Sequence, residues 1–200
     1  MNIHPSALVH PNTKIHPSVH IGPFVCIEEN VEIGEGTIIE NNATICSNTT
    51  IGKNCHVFQG AVVGGLPQDL KYQGEETYTI IGDNTVLREF VTVHRGTASK
   101  KQTVVGNACL IMAYCHVAHD CVLGDHIIMS NATQLAGEVV VDDYAIIGGG
   151  SLVHQFTHIG GHVMIQGGSK VNKDIPPYTM IAREPICFCG INSVGLKRRG

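Results

Sequence analysis

The sequence predicts an all-β fold, a parallel β-solenoid wound from hexapeptides. Three observations predict it. Of the 29 positions spaced six apart from Ile3 to Val171, 26 are Ile, Val, Leu or Met, and the exceptions are Asp69, Glu75 and Ser99. Four residues after each aliphatic comes a mostly small side chain, as in Ala7, Thr13, Val19, Val25, Val31, Thr37, Ala43, Thr49, Cys55 and Ala61. The ruler stops in only two places, and both gaps are multiples of six, so it resumes in phase. A period of six fits neither an amphipathic helix nor a two-residue alternation. It is the period of a hexapeptide solenoid.

Each hexad supplies a short strand and a bend. The aliphatic residue points inward, and the small residue sits where the bend crowds the interior. Gly, Asn and Asp give the backbone its freedom at corners. Three hexads close one triangular coil, so residues 18 apart stack at ~4.8 Å, the inter-strand spacing. The composition agrees. A chain of 200 residues is long enough for one domain with a real core. With no Trp, five Phe and five Tyr, that core has to be built from aliphatic layers. The net charge of -4, with Lys and Arg scattered except at Lys197-Arg198-Arg199, excludes a general nucleic-acid binder. There is no signal-type N-terminus and no long apolar run, so a cytoplasmic protein without stable membrane insertion is expected. Of eight cysteines, Cys55, Cys109, Cys115 and Cys121 share the small-residue position and read as apolar fillers rather than a disulfide framework.

In chain order, the first coils carry Ile3-His4-Pro5, Val9-His10-Pro11 and Ile15-His16-Pro17. Proline fixes φ at corners. The three histidines fall on three different faces and cannot converge on one metal. The solenoid is expected over residues 1–177, with loops extruded near 64–80 and 98–104. Loops on a rigid scaffold are where function concentrates, and Asp69-Leu70-Lys71-Tyr72 mixes polar and apolar groups in the way a binding loop does. Residues 178–200 leave the ruler and read as an irregular segment leading out of the solenoid, with more chain expected beyond Gly200.

The chemistry is expected around Ile111 to Leu123, where His116, His119 and Asp120 interrupt the ruler without any packing reason. If the second loop is extruded whole, the Val93, Val117, Leu135 and Val153 hexads form one column. His119 then stacks under Gly137, with His94 one coil below His119 and His154 two coils above it. An imidazole can take the proton of an attacking hydroxyl. The oxyanion that forms needs an N–H aimed at it, and Gly lets the backbone approach closely. Gly137 is the candidate donor. Asp120 either orients His119 or, as its immediate neighbour, points away.

These runs resemble a known family. His116-Val117-Ala118-His119-Asp120-Cys121, Asp69-Leu70-Lys71-Tyr72, Val93-His94-Arg95-Gly96-Thr97, Val153-His154-Gln155-Phe156, Pro176-Pro177-Tyr178 and Gly195-Leu196-Lys197-Arg198-Arg199-Gly200 are similar to those of bacterial UDP-N-acetylglucosamine O-acyltransferases. The resemblance implies a left-handed coil, against the usual right-handed crossover preference. It implies transfer of an (R)-3-hydroxyacyl chain from acyl carrier protein to the 3-hydroxyl of UDP-N-acetylglucosamine, the first step of lipid A synthesis. It implies a homotrimer with sites between subunits, no metal and no cofactor. His119 would be the general base, Asp120 its partner and Gly137 the oxyanion donor. Gln68, Asp69, Lys71, His94, His116, Glu138, His154, Gln155, Arg198 and Arg199 would bind substrate, the last two with His154 and Gln155 on the nucleotide side. Gln166, Gly167 and Gly168 would limit acyl length. Glu138 and Val194 depart from the family pattern, and the family continues into a helical C-terminal domain.

Two rival readings share the fold. One is another hexapeptide acyltransferase, N-acylating or coenzyme A-dependent, against which the Asp69–Tyr72 loop and the terminal basic run argue. The other is a γ-carbonic-anhydrase-like zinc hydratase, for which His94, His116 and His119 supply three imidazoles without the expected neighbours.

Overall fold

The computed structural model describes residues 2–199, so Met1 and Gly200, the outer ends of the expected segments, lie outside it. Its strands form three sheets, parallel except for the last strand of the first, and these are the faces of a triangular prism. The first face has 11 strands and starts at Asn2–Ile3, the second has nine and starts at Leu8–Val9, and the third has eight and starts at Lys14–Ile15. Most strands are two residues long, one side chain outward and the ruler residue inward, as in His20–Ile21. The coil is left-handed.

Register follows the ruler. Ile21 pairs with Ile39, 18 residues on. Across the first loop Val63 pairs with Val93, and across the second Val93 pairs with Val117, so two hexads and then one are left out of the wall. The first loop is tighter than the expected stretch, and the second has the expected length but lies three residues nearer the N-terminus. They span 66–77 and 95–101, because the flanking strands Tyr78–Ile81 and Gln102–Val105 are four residues long and pair over their whole length. Both leave from the same edge, where the second face turns into the third.

The core is a stack of aliphatic layers in which Ile21, Ile39, Val63, Leu87, Ile111, Val117, Leu135 and Ile147 have no exposed surface. Each such burial contributes about 1.5–3 kcal/mol. The small-residue position has a second rule that hydropathy hides. There Thr37 Oγ1 donates to Gly52 O at 2.8 Å, Thr85 Oγ1 to Gly106 O at 2.7 Å and Cys121 Sγ to Ala136 O at 3.2 Å. Cys, Thr and Ser interchange because each offers a short side-chain donor to a carbonyl at the bend above. All eight cysteines are free thiols. Burial pushes Cys109 and Cys115 up to about 11 and Cys121 to about 12, which leaves them protonated and inert. In the first coils the histidines cap bends locally, as in Ser6 N donating to His4 Nδ1 at 3.2 Å and Asn12 N to His10 Nδ1 at 3.1 Å.

Of the segment 178–200, expected to be irregular, the described residues 178–199 are largely ordered secondary structure. Thr179–Ala182 pairs in parallel with Met164–Ile165 and antiparallel with Cys187–Ile191, and the helix Ser193–Arg199 follows. Ile165 pairs with Ile181, 16 residues on rather than 18, so this strand extends the first face although it has left the ruler. Ile181 is buried, which explains why the chain stays on the wall after the hexads end. Among the described residues no helix is long and apolar enough to cross a membrane.

Candidate active site

The edge between the second and third faces gathers the polar side chains that the ruler does not explain. Thr92 pairs with His116 and Val117 with Leu135, so the Val93, Val117, Leu135 and Val153 hexads form one column. His116 projects outward from its strand, and its Nδ1 lies 2.7 Å from Thr92 Oγ1. The His94 ring meets the His116 ring edge-on, with centroids 4.6 Å apart. Burial first, and then the neighbouring His116 and His119, push His94 down to about 4. His116 is lowered too, by burial and then by His119. Both are therefore neutral near pH 7 and able to accept or share a proton.

His119 sits at the bend, buried beside Asp120, with Nδ1 2.8 Å from Asp120 Oδ2. Asp120 turns toward the His119 ring rather than away from it. Its φ of 60° turns the backbone through the left-handed region and brings the carboxylate back onto the preceding ring. The carboxylate is fully buried. Burial alone would raise its pKa. Hydrogen bonds from the Thr97 hydroxyl, His119, and the Thr97 and Lys100 N–H groups outweigh that and hold it below the usual carboxylate range. The other ring nitrogen, Nε2, is 3.9 Å from Asp69 Oδ2 on the first loop. Above the ring lies Gly137, where a Cβ would stand 2.5 Å from both Nε2 and Cε1 of His119. Any side chain there would displace the imidazole, so this glycine is required by close approach rather than by φ.

The ring opens onto a cleft of about 380 Å³ whose lining includes Gln68, His94, His116, His119, Gln134 and Leu152. The structure thus brings together Gln68, Asp69, His94, His116, His119, Asp120 and Gly137. Lys71 is exposed on the loop, and its N–H donates to Asp69 Oδ1 at 2.9 Å. Glu138 is half-buried one coil above Asp120, its N–H bonded to His119 O at 3.0 Å. His154 and Gln155 are exposed one coil higher on the same edge. Two expected groups lie elsewhere. Gln166, Gly167 and Gly168 are exposed at the edge between the first and second faces, across the second face from His119. Arg199 donates to Tyr144 O at 3.0 Å on the edge between the third and first faces, and Arg198 shares its helix. Within one chain neither group reaches the cleft.

Sequence reasoning missed Thr92, Thr97, Lys100, Thr103 and Gln134. Strict register would have found Thr92 and Gln134, which lie opposite His116 in the column. Thr97, Lys100 and Thr103 follow only from where the second loop folds. His94, His116 and His119 do not converge as metal ligands, and among the described residues no three His, Cys, Asp or Glu side chains are grouped to hold an ion.

A hexapeptide β-helix with a histidine–aspartate pair stacked under a glycine at the mouth of a cleft defines a class, and the comparisons with known proteins narrow it. The GMPPB C-terminal domain family matches residues 3–104, which are repeat coils below His119. The "Udp N-acetylglucosamine O-acyltransferase; Domain 2" family matches residues 174–200. The crystal structure of a UDP-N-acetylglucosamine acyltransferase from Bacteroides fragilis superposes with a TM-score of 0.98 at 52% identity, over 99% of this chain and 78% of that one. The Francisella novicida UDP-N-acetylglucosamine acyltransferase gives 0.97 at 46% identity, over 99% and 73%. The acyl-[acyl-carrier-protein]–UDP-N-acetylglucosamine O-acyltransferase of Pseudomonas savastanoi pv. phaseolicola is 47% identical over 145 residues, which are 72% of this chain and 56% of the relative. The chain therefore spans little more than half the length of the curated relatives it matches. The likeness to the solved acyltransferases runs along the whole chain and includes the His119 edge, whereas the GMPPB match is confined to coils. The chain belongs to the UDP-N-acetylglucosamine O-acyltransferase family.

Proposed function

We propose that the protein transfers an (R)-3-hydroxyacyl group from acyl carrier protein to the 3-hydroxyl of UDP-N-acetylglucosamine, the entry reaction of lipid A synthesis. The observation that carries this reading is the His119 imidazole, tethered by Nδ1 to a buried carboxylate and presenting Nε2 to a cleft beside Gly137. An ionised Asp120 only accepts hydrogen bonds, so Nδ1 carries the proton and Nε2 the free lone pair.

In this reading Nε2 takes the proton of the sugar 3-hydroxyl as its oxygen attacks the thioester carbonyl. The carbonyl oxygen gains the charge and the Gly137 N–H stabilises it. The tetrahedral adduct then collapses, the carbon–sulfur bond breaks, and the imidazolium returns its proton to the departing carrier thiolate. General-base help contributes about 10²–10⁴-fold, and one oxyanion donor about 10²–10³-fold. Gln68, Asp69, Lys71 and His116 would hold the sugar, with Asp69 close enough to Nε2 to stabilise the transient imidazolium.

The homotrimer belongs to the same proposal. Arg198 and Arg199 lie on a different edge of the prism from His119, so a nucleotide held by both needs a neighbouring copy. Three copies about one axis would supply three such sites. The acyl chain would then run across the second face toward Gln166, Gly167 and Gly168.

The test is transfer by the intact protein from a panel of (R)-3-hydroxyacyl carrier proteins, with acyl-coenzyme A as the competing donor, to radiolabelled UDP-N-acetylglucosamine. O-acylated sugar nucleotide from the carrier-protein donors is expected. Product from coenzyme A alone, or from no donor, would overturn the assignment.

A further inference from the structure

The second loop leaves the wall for only one hexad, yet it supplies most of the grip on Asp120. Asp120 Oδ1 accepts from the Thr97 N–H at 2.9 Å and the Lys100 N–H at 3.1 Å, and Oδ2 accepts from the Thr97 hydroxyl at 2.6 Å and His119 Nδ1 at 2.8 Å. Those four bonds fill the acceptor positions of the carboxylate. Three come from residues 97–100. The Thr97 hydroxyl also accepts the Ser99 N–H at 3.3 Å, so its own hydrogen is directed at Asp120. The loop is rooted by Arg95, which is buried and donates to Gly64 O at 2.9 Å and Ser47 Oγ at 3.2 Å. Lys101 N closes it onto Thr97 O at 2.8 Å.

We propose that Thr97 is a positioning residue for the base: its hydroxyl and N–H lock the Asp120 carboxylate in the one orientation that keeps the proton on His119 Nδ1 and the lone pair of Nε2 toward the cleft. The proposal rests on the reading of His119 as general base, and it explains why a loop that is dispensable to the solenoid register is wrapped around a buried carboxylate. Without the hydroxyl, Oδ2 loses its shortest partner. The carboxylate can then rotate, and the imidazole is released to the tautomer that blocks attack.

The experiment compares Thr97→Val, which keeps shape and N–H but removes the hydroxyl, with Thr97→Ser, which restores it. Turnover and the ¹⁵N NMR tautomer of His119, assigned by its loss in His119→Ala, are measured on the intact protein. Expected for Thr97→Val is a ten- to hundredfold lower kcat, KM for UDP-N-acetylglucosamine within about twofold, and a new Nε2–H population at His119. Thr97→Ser should lie within about threefold of the parent. A parent-like kcat and tautomer in Thr97→Val would overturn the proposal. So would a lowered kcat with an unchanged tautomer, or a lowered kcat that Thr97→Ser does not rescue. If Thr97→Val does not fold, Thr97→Ala is read in the same way. If the parent itself acylates no sugar nucleotide, the functional reading falls, while the tautomer measurement still decides whether Thr97 sets the ring.

Discussion

Two edges of the prism carry histidines in clusters, and they use them differently. On the edge between the third and first faces, His126, Tyr144, His162 and Tyr178 form a ladder with ring centroids 4.6, 4.8 and 5.5 Å apart and planes within 19° of parallel. All four have φ between 56° and 65°. On the edge between the second and third faces, His119 sits one residue before the left-handed position, which Asp120 occupies. The offset of one place in the hexad decides the role. At the left-handed position a ring lies along the edge and stacks on its coil neighbours. One place earlier it points out of the bend. At that earlier place the other edge carries Asp125 and Asp143, whose carboxylates accept the Asn107 N–H at 2.6 Å and the Asp125 N–H at 2.8 Å and so tie coil to coil. His119 does no such tying. It spends its contacts on a buried carboxylate, a glycine and a cleft, which is what an acid–base role requires.

The largest effect that separates the two edges is expected from His119→Ala. It should lower kcat by about 10³-fold or more, with the melting temperature little changed, because the ring lies outside the aliphatic layers. Turnover within tenfold of the parent would place His119 with the stacking histidines. Next comes Gly137→Ala. Its Cβ would fall 2.5 Å from His119 Nε2, so the imidazole has to move. A loss of about 10²-fold in kcat is expected, since small misplacements of a catalytic group cost that much. A substitution at Gly137 that leaves kcat intact would show that the close approach has no part in the reaction.

How far this contrast could be read from the sequence follows from what each feature depends on. The ruler is a local repeat, so its inward positions, the three-hexad coil and the phase across both loops were all legible. The column of Val93, Val117, Leu135 and Val153 followed from that arithmetic alone, and with it the stacking of Gly137 on His119. The aromatic ladder was hidden because Tyr144 and His162 occupy a place where Gly and Asn are the usual residues. A left-handed residue costs about 1–2 kcal/mol, and here ring stacking offsets it. The cage around Asp120 was hidden for another reason. Thr97 lies in an extruded loop whose path no period governs. The strand Thr179–Ala182 was missed because its register with Met164–Ile165 departs from 18 residues.

A pH titration of stability sharpens the contrast at the next scale. His94 is held down at about 4, first by burial and then by His116 and His119. Between about 6.5 and about 4 the unfolded chain binds a proton that the folded chain does not, so stability rises with pH across that window and is lost as pH falls through it. The ring edge reaches the cleft, and solvent screening trims the effect to roughly 1–2 kcal/mol. Chemical denaturation from pH 7 to pH 4 should therefore fall less steeply for His94→Phe than for the parent. Equal slopes would mean that His94 is charged at no cost in the fold.

The smallest effect belongs to the stacking edge. Tyr144 lies between His126 and His162, and the Arg199 guanidinium carbon sits 5.2 Å from its ring centroid. Tyr144→Ala removes two stacks and a cation–π contact, together about 1–2 kcal/mol, or a few degrees in melting temperature for a chain of this size. His126→Ala removes one stack at the lower end of the ladder and should cost about half as much. Neither change touches the His119 cleft, so kcat should hold within a few-fold in both. Arg199 is different. Its guanidinium also bonds Tyr144 O, a backbone atom that survives the substitution. The side chain therefore stays attached but loses the ring beneath it, and KM for the sugar nucleotide should rise modestly in Tyr144→Ala and not in His126→Ala. Equal KM changes in the two variants would separate Arg199 from the nucleotide. A fall in kcat with either variant would mean that the two edges are coupled through the walls of the prism rather than independent.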